Sequence, residues 1–339
     1  MENLINHQGQ VEFGLFENTP STINHHDFDL RNHMDKPIKG LRKKMKFNQF
    51  QFIGLTGDDF ILGVAIVNLK WVSNCFIYIY EPKTKNFKEY SWLKPLAMHT
   101  QSSNQPNNGD WSFKSGKNEI KIQSTAGARH LSLKIANELN VNICIDEKKT
   151  EQANNYQPLA VCCRAGYSGW VFTQKATALE FNGDIKWQNR DINTKNLLAS
   201  VDWSCGYMRR ETFWNWASLS HRTENGTKIG LNLAAGVNET SHTENGSWVN
   251  NELIKLDRAE FIFERRNRLN TWHVKTSDEH INLTFEPEGE RKEKINAGFM
   301  ASNFTQLFGR FYGQVKDKEG NTIEINGAMG FCEDHFAKW

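Results

Sequence analysis

Strand-like segments recur roughly every 8–15 residues along nearly the whole chain, and this feature limits the possible folds most. Residues 47–55 (FNQFQFIGL) alternate apolar and polar side chains, residues 60–69 form a continuous apolar run, and residues 75–80 (CFIYIY) are rich in β-formers. No amphipathic stretch of helical period is long enough to cover a sheet, and only residues 195–204 predict a short helix. The pattern predicts an all-β, antiparallel fold and disfavours doubly wound α/β folds.

The same style of sequence continues through both halves of the chain. Residues 110–114, 118–124, 130–135 and 141–145 predict a meander of short strands, and regular alternation stops near residues 189–196. We therefore place a domain junction there and expect two units, residues 1–190 and 191–339, each a barrel or a sandwich. A propeller is disfavoured because no strict repeat of about 20–50 residues is present.

Composition narrows the class of partner. The chain has 11 Trp and 22 Phe, and these side chains bury large apolar areas and favour strands, so we expect a large core or an aromatic-lined cavity. Lys+Arg is 41 against Asp+Glu 39, a net charge of +2. This balance argues against a dedicated nucleic-acid binder, whose affinity would depend on a basic surface.

Several chemical signatures do not occur in the sequence. It contains no GxSxG elbow, no Walker A motif and no GxGxxG opening a helix, so we expect no nucleotide cofactor. The longest apolar run, residues 61–69, is too short for a membrane helix, and the first residues do not read as a secretory signal. The six cysteines have no CxxC or zinc spacing. We therefore expect a cytoplasmic protein with reduced, mostly core cysteines and no metal site.

The densest cluster of reactive side chains falls in residues 200–221. In an extended strand, Trp214 and Trp216 share one face and form an aromatic wall, which can line a barrel interior or bind an apolar ligand or cation. Asp202 and His221 are candidate acid–base groups. The segment also supplies candidate ligand-binding residues, which are Tyr207, Arg209, Arg210, Glu211 and the two tryptophans.

The adjacent arginines Arg209 and Arg210 leave two interpretations open. If the chain is extended there, one guanidinium points inward and needs an anionic ligand or a carboxylate, for which Asp202 and Glu211 are the local candidates. The arrangement therefore indicates either a ligand site or a structural ion pair that closes the end of a barrel. We place the site at the mouth or interior of the second unit, near its junction with the first.

Two further polar segments carry ligand-type side chains. Residues 25–35 hold three His and three Asp, but their spacing matches no known metal site, and a polar loop that caps the fold is the favoured interpretation. The final strand places Glu333, Asp334 and His335 together, which fits a structural role at least as well as catalysis.

The residues also resemble a known family across nearly the whole chain. The sequence is similar to the bacterial family known as domain of unknown function 2804. The similarity rests on Gly14–Leu15–Phe16–Glu17, Pro20, Asn24, Arg42–Lys43–Lys44, Asp202, Gly206, Arg210, Thr212, Trp214–Asn215–Trp216–Ala217, Gly230–Leu231–Asn232, Glu244–Asn245, Trp248, Phe285–Glu286–Pro287, Phe304, Gln306–Leu307–Phe308–Gly309 and Glu333–Asp334–His335–Phe336–Ala337–Lys338–Trp339.

This resemblance implies a fold and a class of ligand. The family is akin to tandem lipocalin-like (calycin) proteins, such as hydroxyneurosporene-synthase-type hydratases, AttH-like proteins and tocopherol cyclases. It therefore implies two lipocalin-like antiparallel β-barrels in tandem around apolar cavities. No established reaction of the family itself can be carried over.

Three functional hypotheses follow from the sequence. The first is a protein that binds a hydrophobic small molecule, a lipid or isoprenoid. The second is a cofactor-independent hydratase, cyclase or isomerase, in which Asp202 protonates an alkene and Trp214 and Trp216 stabilise the carbocation. The third is a carbohydrate-binding or glycoside-processing protein, which would need two carboxylates about 5–10 Å apart in one cleft.

Overall fold

The chain forms an almost entirely β structure. In this computed structural model the described residues are 2–125, 127–147, 156–237, 242–298 and 300–338. They contain a 3₁₀ helix at His25–Asp27 and a five-residue helix, α1, at Gly40–Lys44. The strands are β1 (Gly14–Phe16), β2 (Asn48–Thr56), β3 (Ile61–Asn68), β4 (Val72–Glu81), β5 (Asn86–Pro95), β6 (Thr100–Gln101), β7 (Gly109–Ser115), β8 (Asn118–Thr125), β9 (Ala128–Ile135), β10 (Leu139–Asp146), β11 (Leu159–Ala165), β12 (Gly169–Leu179), β13 (Phe181–Trp187), β14 (Arg190–Asp191), β15 (Leu198–Tyr207), β16 (Glu211–Arg222), β17 (Lys228–Ala235), β18 (Gly246–Val249), β19 (Glu252–Lys255), β20 (Ala259–Ile262), β21 (Trp272–Thr276), β22 (Ile281–Asn296), β23 (Ala301–Lys316) and β24 (Thr322–Lys338).

These strands pair into three antiparallel sheets within the described residues. The first sheet has the order β1-β11-β12-β15-β2-β3-β4-β5, and the second has the order β14-β13-β10-β9-β8-β7-β6. The third has the order β19-β18-β17-β16-β24-β23-β22-β21-β20. The all-β prediction and the predicted meander, which is β7 to β10, are confirmed.

Period-two alternation explains how the sheets pack. One face of the second sheet supplies buried side chains such as Ile120, Leu131 and Val141, and these join Ile53 and Ile77 of the first sheet in one apolar core. The intervening side chains of the second sheet are mostly exposed. Alternation of this kind buries one face of a strand and leaves the other in solvent.

The third sheet encloses a core of its own and also packs on the first sheet. Its core includes Leu219, Leu231 and Phe311. A separate apolar cluster joins the outer face of the first sheet to the third, and there the rings of Tyr80 and Phe308 stack with centroids 4.7 Å apart. The first sheet is therefore covered on both faces, which accounts for the continuous apolar run of β3.

One glycine permits the close approach of these two sheets. A Cβ at Gly289 would lie 2.7 Å from the hydroxyl oxygen of Tyr80, closer than such atoms approach. The pairing of β22 with β23 also shifts register between Pro287 and Gly289. A bulge of this kind bends a long strand, so β22 can extend beyond its own core towards the first sheet.

The helix expected at residues 195–204 is wrong. Residues 198–207 instead form strand β15, which pairs with β12 on one side and with β2 on the other. Its side chains of Val201, Trp203 and Cys205 enter the core shared with the second sheet. The pairing of both its edges outweighs a weak local preference for helix.

The predicted division into residues 1–190 and 191–339 stays a prediction, as does the closure of the sheets into two barrels. In the observed pairing, the chain leaves the first sheet after Tyr207 and enters the third sheet at Glu211.

Candidate functional site

A cavity of about 290 Å³ lies between the outer face of the first sheet and the third sheet. Most of its lining is apolar, with a smaller group of ionisable side chains. The lining residues are Asn48, Gln49, Phe50, Phe52, Val67, Leu69, Val72, Asn74, Phe76, Leu93, Ala165, Val171, Lys175, Asp202, Ser204, Met208, Arg209, Thr212, Trp214, Trp216, Ala234, Val237, Glu244, Arg291, Glu293, Ile295, Met300, Ala301, Ser302, Phe304, Gln306, Glu333, His335, Ala337 and Lys338.

Strand alternation decides which side chains reach this cavity. In β16, Trp214 and Trp216 line it, whereas Ala217 and Leu219 belong to the core of the third sheet. In β24, Glu333 and His335 line it, and Cys332 belongs to that core. Residues two apart in a strand share a face, so these four side chains meet across adjacent strands. The shared face predicted for the two tryptophans is therefore observed.

A buried ion cluster forms one wall of the cavity. The Lys175 ammonium lies 2.5 Å from a carboxylate oxygen of Asp202 and 3.3 Å from one of Glu244. Burial alone would lower the pKa of Lys175, but the two carboxylates more than offset this effect and raise it. Asp202 also accepts a hydrogen bond of 2.9 Å from the Ser204 hydroxyl. The carboxylate of Asp202 is thus committed to an ammonium and a hydroxyl.

Glu333 is the carboxyl group with the environment of a proton donor. It is buried in the cavity wall and accepts hydrogen bonds from the Trp214 indole N–H at 3.2 Å and from the Gln306 amide at 2.7 Å. Burial, with a smaller contribution from the charge of Asp202, raises the pKa of Glu333 to about 7. A substantial fraction of Glu333 is therefore protonated at neutral pH, which suits general acid–base work.

A cation and a neutral imidazole lie beside this acid. The buried Arg291 guanidinium pairs with Glu89 at 2.7 Å and lies over the ring of Phe304 at 4.8 Å. Burial and then the charge of Arg291 lower the pKa of His335 to about 3, so its imidazole is neutral. Its Nε2 lies 3.1 Å from the Ser302 hydroxyl, and its Nδ1 has no hydrogen-bond partner among the described residues.

The structure brings only some of the sequence-predicted site residues together. Asp202, Arg209, Trp214 and Trp216 line the cavity, at the junction of the two sheets rather than inside one core.

The other predicted site residues lie elsewhere. Tyr207 is buried in the core of the first sheet, where its hydroxyl donates a hydrogen bond to the carbonyl of His25 at 3.2 Å. Arg210 is exposed, and Glu211 is exposed and paired with Lys338 at 2.9 Å. His221 lies near the opposite end of β16 and does not line the cavity.

Sequence reasoning missed three of the charged groups in the wall. Lys175 is the one charged residue of strand β12, and Arg291 lies in a long strand rich in charged residues. Glu244 lies just before β18, and its ion partner Lys175 lies on the distant strand β12. The single available signal was the isolated charge of Lys175, because a buried charge needs a partner.

The histidine-rich segment at residues 25–35 does not form a ligand cluster. His25 stacks on Phe47 with ring centroids 3.6 Å apart, and no group of three or more potential metal ligands occurs among the described residues. Among all the residues that the structure describes, no helix is long and apolar enough to cross a membrane.

Comparisons with known proteins agree with the resemblance in the sequence. The family model described as Domain of unknown function (DUF2804) matches residues 1–339. No curated protein sequence matches the chain.

Three solved structures are similar to this fold. The protein CghA has a TM-score of 0.54 at 6% identity, covering 86% of this chain and 88% of that one. Kievitone hydratase from Nectria haematococca has a TM-score of 0.50 at 12% identity, covering 84% and 88%. A putative AttH from Nitrosomonas europaea has a TM-score of 0.48 at 11% identity, covering 87% and 94%. At these identities the likeness concerns the fold alone, a lipocalin-like one.

Proposed function

This chain belongs to the family described as Domain of unknown function (DUF2804), and from that premise we propose that its inter-sheet cavity binds an apolar small molecule of lipid or isoprenoid type. The observation that carries the proposal is the cavity itself. Its mostly apolar lining leaves about 290 Å³ unfilled, close to the lower end of the usual range for ligand pockets. A cytoplasmic location remains part of the proposal.

The polar groups of the cavity would orient such a ligand. The ion cluster of Lys175 and the pair of Arg291 with Glu89 each hold opposite charges in contact, so an apolar ligand would leave those charges paired. By contrast, the Nδ1 atom of His335 and the Oε1 atom of Gln306 have no hydrogen-bond partner among the described residues. A ligand with one hydroxyl or carbonyl group beside a hydrocarbon body would satisfy one of them.

Native mass spectrometry of protein purified from its own host, followed by extraction of apolar compounds, tests the binding proposal. In vitro, fluorescence titration with cis-parinaric acid provides a defined probe. Ala234→Trp should fill the cavity and abolish binding, whereas Ala235→Trp, on the opposite face of β17, should not. Equal binding by both variants, with no apolar compound retained from the host, would refute the proposal.

A second candidate function is acid catalysis on the bound molecule, and the environment of Glu333 favours it. The protonated carboxyl would give its proton to one alkene carbon, and the π pair would form the new C–H bond. A cation would remain on the other carbon, near the π faces of Trp214 and Trp216. Water would then add to that carbon and return a proton to the Glu333 carboxylate, giving net hydration. One solved structure of similar fold carries the name hydratase.

In this candidate function the proton donor is Glu333, whereas the sequence suggested Asp202. Asp202 is paired with Lys175, and such pairing favours a charged carboxylate over a proton donor. The glycoside hypothesis remains a weaker alternative, because Asp202 and Glu244 share one ammonium instead of facing each other across an open cleft.

Deuterium incorporation tests the acid. The protein is incubated in D₂O with the apolar extract of its host, and new C–D bonds are detected by mass spectrometry. Glu333→Gln should abolish deuterium incorporation but still bind cis-parinaric acid. Glu286→Gln, at an exposed position of β22, should leave deuterium incorporation unchanged. Incorporation that survives Glu333→Gln would refute the catalytic role.

A further inference from the structure

One end of the first sheet carries a concentration of positive charge. Residues 36–46, 68–73 and 91–101 together contain no Asp or Glu. They hold eight basic residues although the whole chain has a net charge of only +2. These residues are Lys36, Lys39, Arg42, Lys43, Lys44, Lys46, Lys70 and Lys94.

These three segments meet in space. The register of β2 with β3 pairs Gln49 with Asn68, so the end of α1 lies beside the β3–β4 turn. The Leu96 N–H donates a hydrogen bond of 2.7 Å to the carbonyl of Trp71, which joins that turn to the segment after β5. The Lys70 ammonium donates a hydrogen bond of 2.6 Å to the side-chain oxygen of Gln49, which joins the same turn to the start of β2.

The same segments expose large apolar side chains. Five of these side chains are between 47% and 72% exposed. A single exposed apolar side chain is common on protein surfaces, but a group of them indicates a contact surface. They are Leu41, Trp71, Leu93, Leu96 and Met98. We call the eight basic and five apolar residues together the basic–apolar edge.

This edge is continuous with the cavity. Leu69, Val72 and Leu93 belong to two of the three segments, residues 68–73 and 91–101, and also line the cavity. Leu93 is 51% exposed, so the cavity lining reaches solvent at this edge. Exposed apolar side chains beside the opening of an apolar cavity require an apolar environment to cover them.

We propose that the basic–apolar edge docks on the surface of an anionic lipid bilayer. Lys and Arg near such a surface are attracted by the negative headgroups, and Trp side chains favour the interfacial zone. Trp71, Leu96 and Met98 would enter the headgroup region while the exposed basic side chains contact phosphate and carboxylate groups. These exposed side chains are Lys36, Lys39, Arg42, Lys44 and Lys46. The ammonium groups of Lys43 and Lys70 instead donate hydrogen bonds within the protein, to the His26 carbonyl and to Gln49. A nucleic acid would match the charge, but it offers no apolar layer for these three side chains, so the observations favour the bilayer.

The apolar half of the edge is tested by vesicle co-sedimentation of the full chain. The protein should bind vesicles of phosphatidylcholine mixed with phosphatidylserine and not vesicles of phosphatidylcholine alone. Trp71→Ser with Leu96→Ser should reduce binding at least ten-fold. The matched control, Ile262→Ser with Leu269→Ser, removes apolar side chains of similar exposure from the third-sheet region and should not reduce binding.

The charged half is tested in the same assay. Each basic residue near an anionic surface contributes about five-fold in affinity, so Arg42→Gln with Lys44→Gln should weaken binding roughly 25-fold and reduce its dependence on salt. The control, Lys114→Gln with Lys117→Gln, changes exposed lysines of the second sheet and should bind as the unmodified protein does.

Three results would overturn the proposal. They are equal binding to both kinds of vesicle, equal losses in test and control variants, and binding of duplex nucleic acid that is tighter than vesicle binding and insensitive to Trp71→Ser. The apo protein suffices for this assay, so its outcome is independent of whether the cavity binds a ligand or whether Glu333 transfers a proton. Circular dichroism melts of all variants verify that each one is folded.

Discussion

Replacing Glu333 with glutamine should stabilise the protein at alkaline pH, because it removes a buried charge without changing the shape of the side chain. The carboxylate accepts hydrogen bonds from Trp214 and from the Gln306 amide. The Oε1 atom of Gln306 has no partner among the described residues. A rotated Gln306 amide can therefore accept a hydrogen bond from the new amide at position 333, while Trp214 continues to donate to its carbonyl.

The size of the effect follows from proton linkage. Burial raises the pKa of Glu333 from 4.5 to about 7 in the folded protein. The folded state then holds its proton more tightly than the unfolded state, so stability declines as pH rises from 4.5 to 7. Each pKa unit corresponds to about 1.4 kcal/mol, so the full cost of the charge is about 3 kcal/mol above pH 7. Glutamine carries no such cost.

Urea unfolding at two pH values checks this reasoning. Glu333→Gln should be more stable than the unmodified protein by about 3 kcal/mol at pH 8 but only about 1 kcal/mol at pH 5. Glu286→Gln, at an exposed position, should show no pH-dependent difference. A difference for Glu333→Gln that is the same at both pH values, or a loss of stability at pH 8, would show that the carboxyl is not held neutral by burial.

Three further outcomes are expected. Lys175→Met leaves two buried carboxylates without their cation, so it should lower the free energy of unfolding in urea by about 3–5 kcal/mol at pH 8 and by less at pH 5. Lys186→Met, at an exposed position of β13, should lower it little. Equal losses of stability in the two variants would contradict the ion cluster. Arg291→Met leaves Glu89 without its buried partner and should cost about 3 kcal/mol in the same assay; a loss below about 1 kcal/mol would mean that the pair is already solvated. Burial raises the pKa of five of the six cysteine thiols. Iodoacetamide at pH 8 should therefore label only Cys144 in the folded protein and all six thiols in urea. Rapid labelling of a second thiol in the folded protein would contradict the buried positions.

The candidate site could be predicted only in part from the sequence. Alternation alone places Trp214 and Trp216 on one strand face, because successive side chains of any strand point to opposite sides. It also indicates that Asp202 needs a partner if it is buried. It does not identify that partner, since Lys175 lies on a neighbouring strand whose pairing depends on the whole sheet.

The choice between Asp202 and Glu333 as the acid illustrates the same limit. Both are carboxyl groups in strands beside aromatic residues, and the local sequence does not distinguish them. Their difference arises from tertiary surroundings: the Lys175 ammonium contacts Asp202, whereas burial raises the pKa of Glu333. An ammonium favours the charged form of a carboxyl. At Glu333, burial favours the neutral form by more than the hydrogen bonds from Trp214 and Gln306 favour the charged one.

The sequence by itself determined the class of the fold, the approximate positions of most strands and the side chains that share a face, because all of these depend on period-two alternation within one segment. Only the tertiary structure decided that residues 198–207 are a strand, that the cavity lies between two sheets, and that the basic segments at residues 36–46, 68–73 and 91–101 meet at one edge. Each of these depends on pairing between strands far apart in the chain. Such pairing is stabilised by burial that a local pattern does not specify.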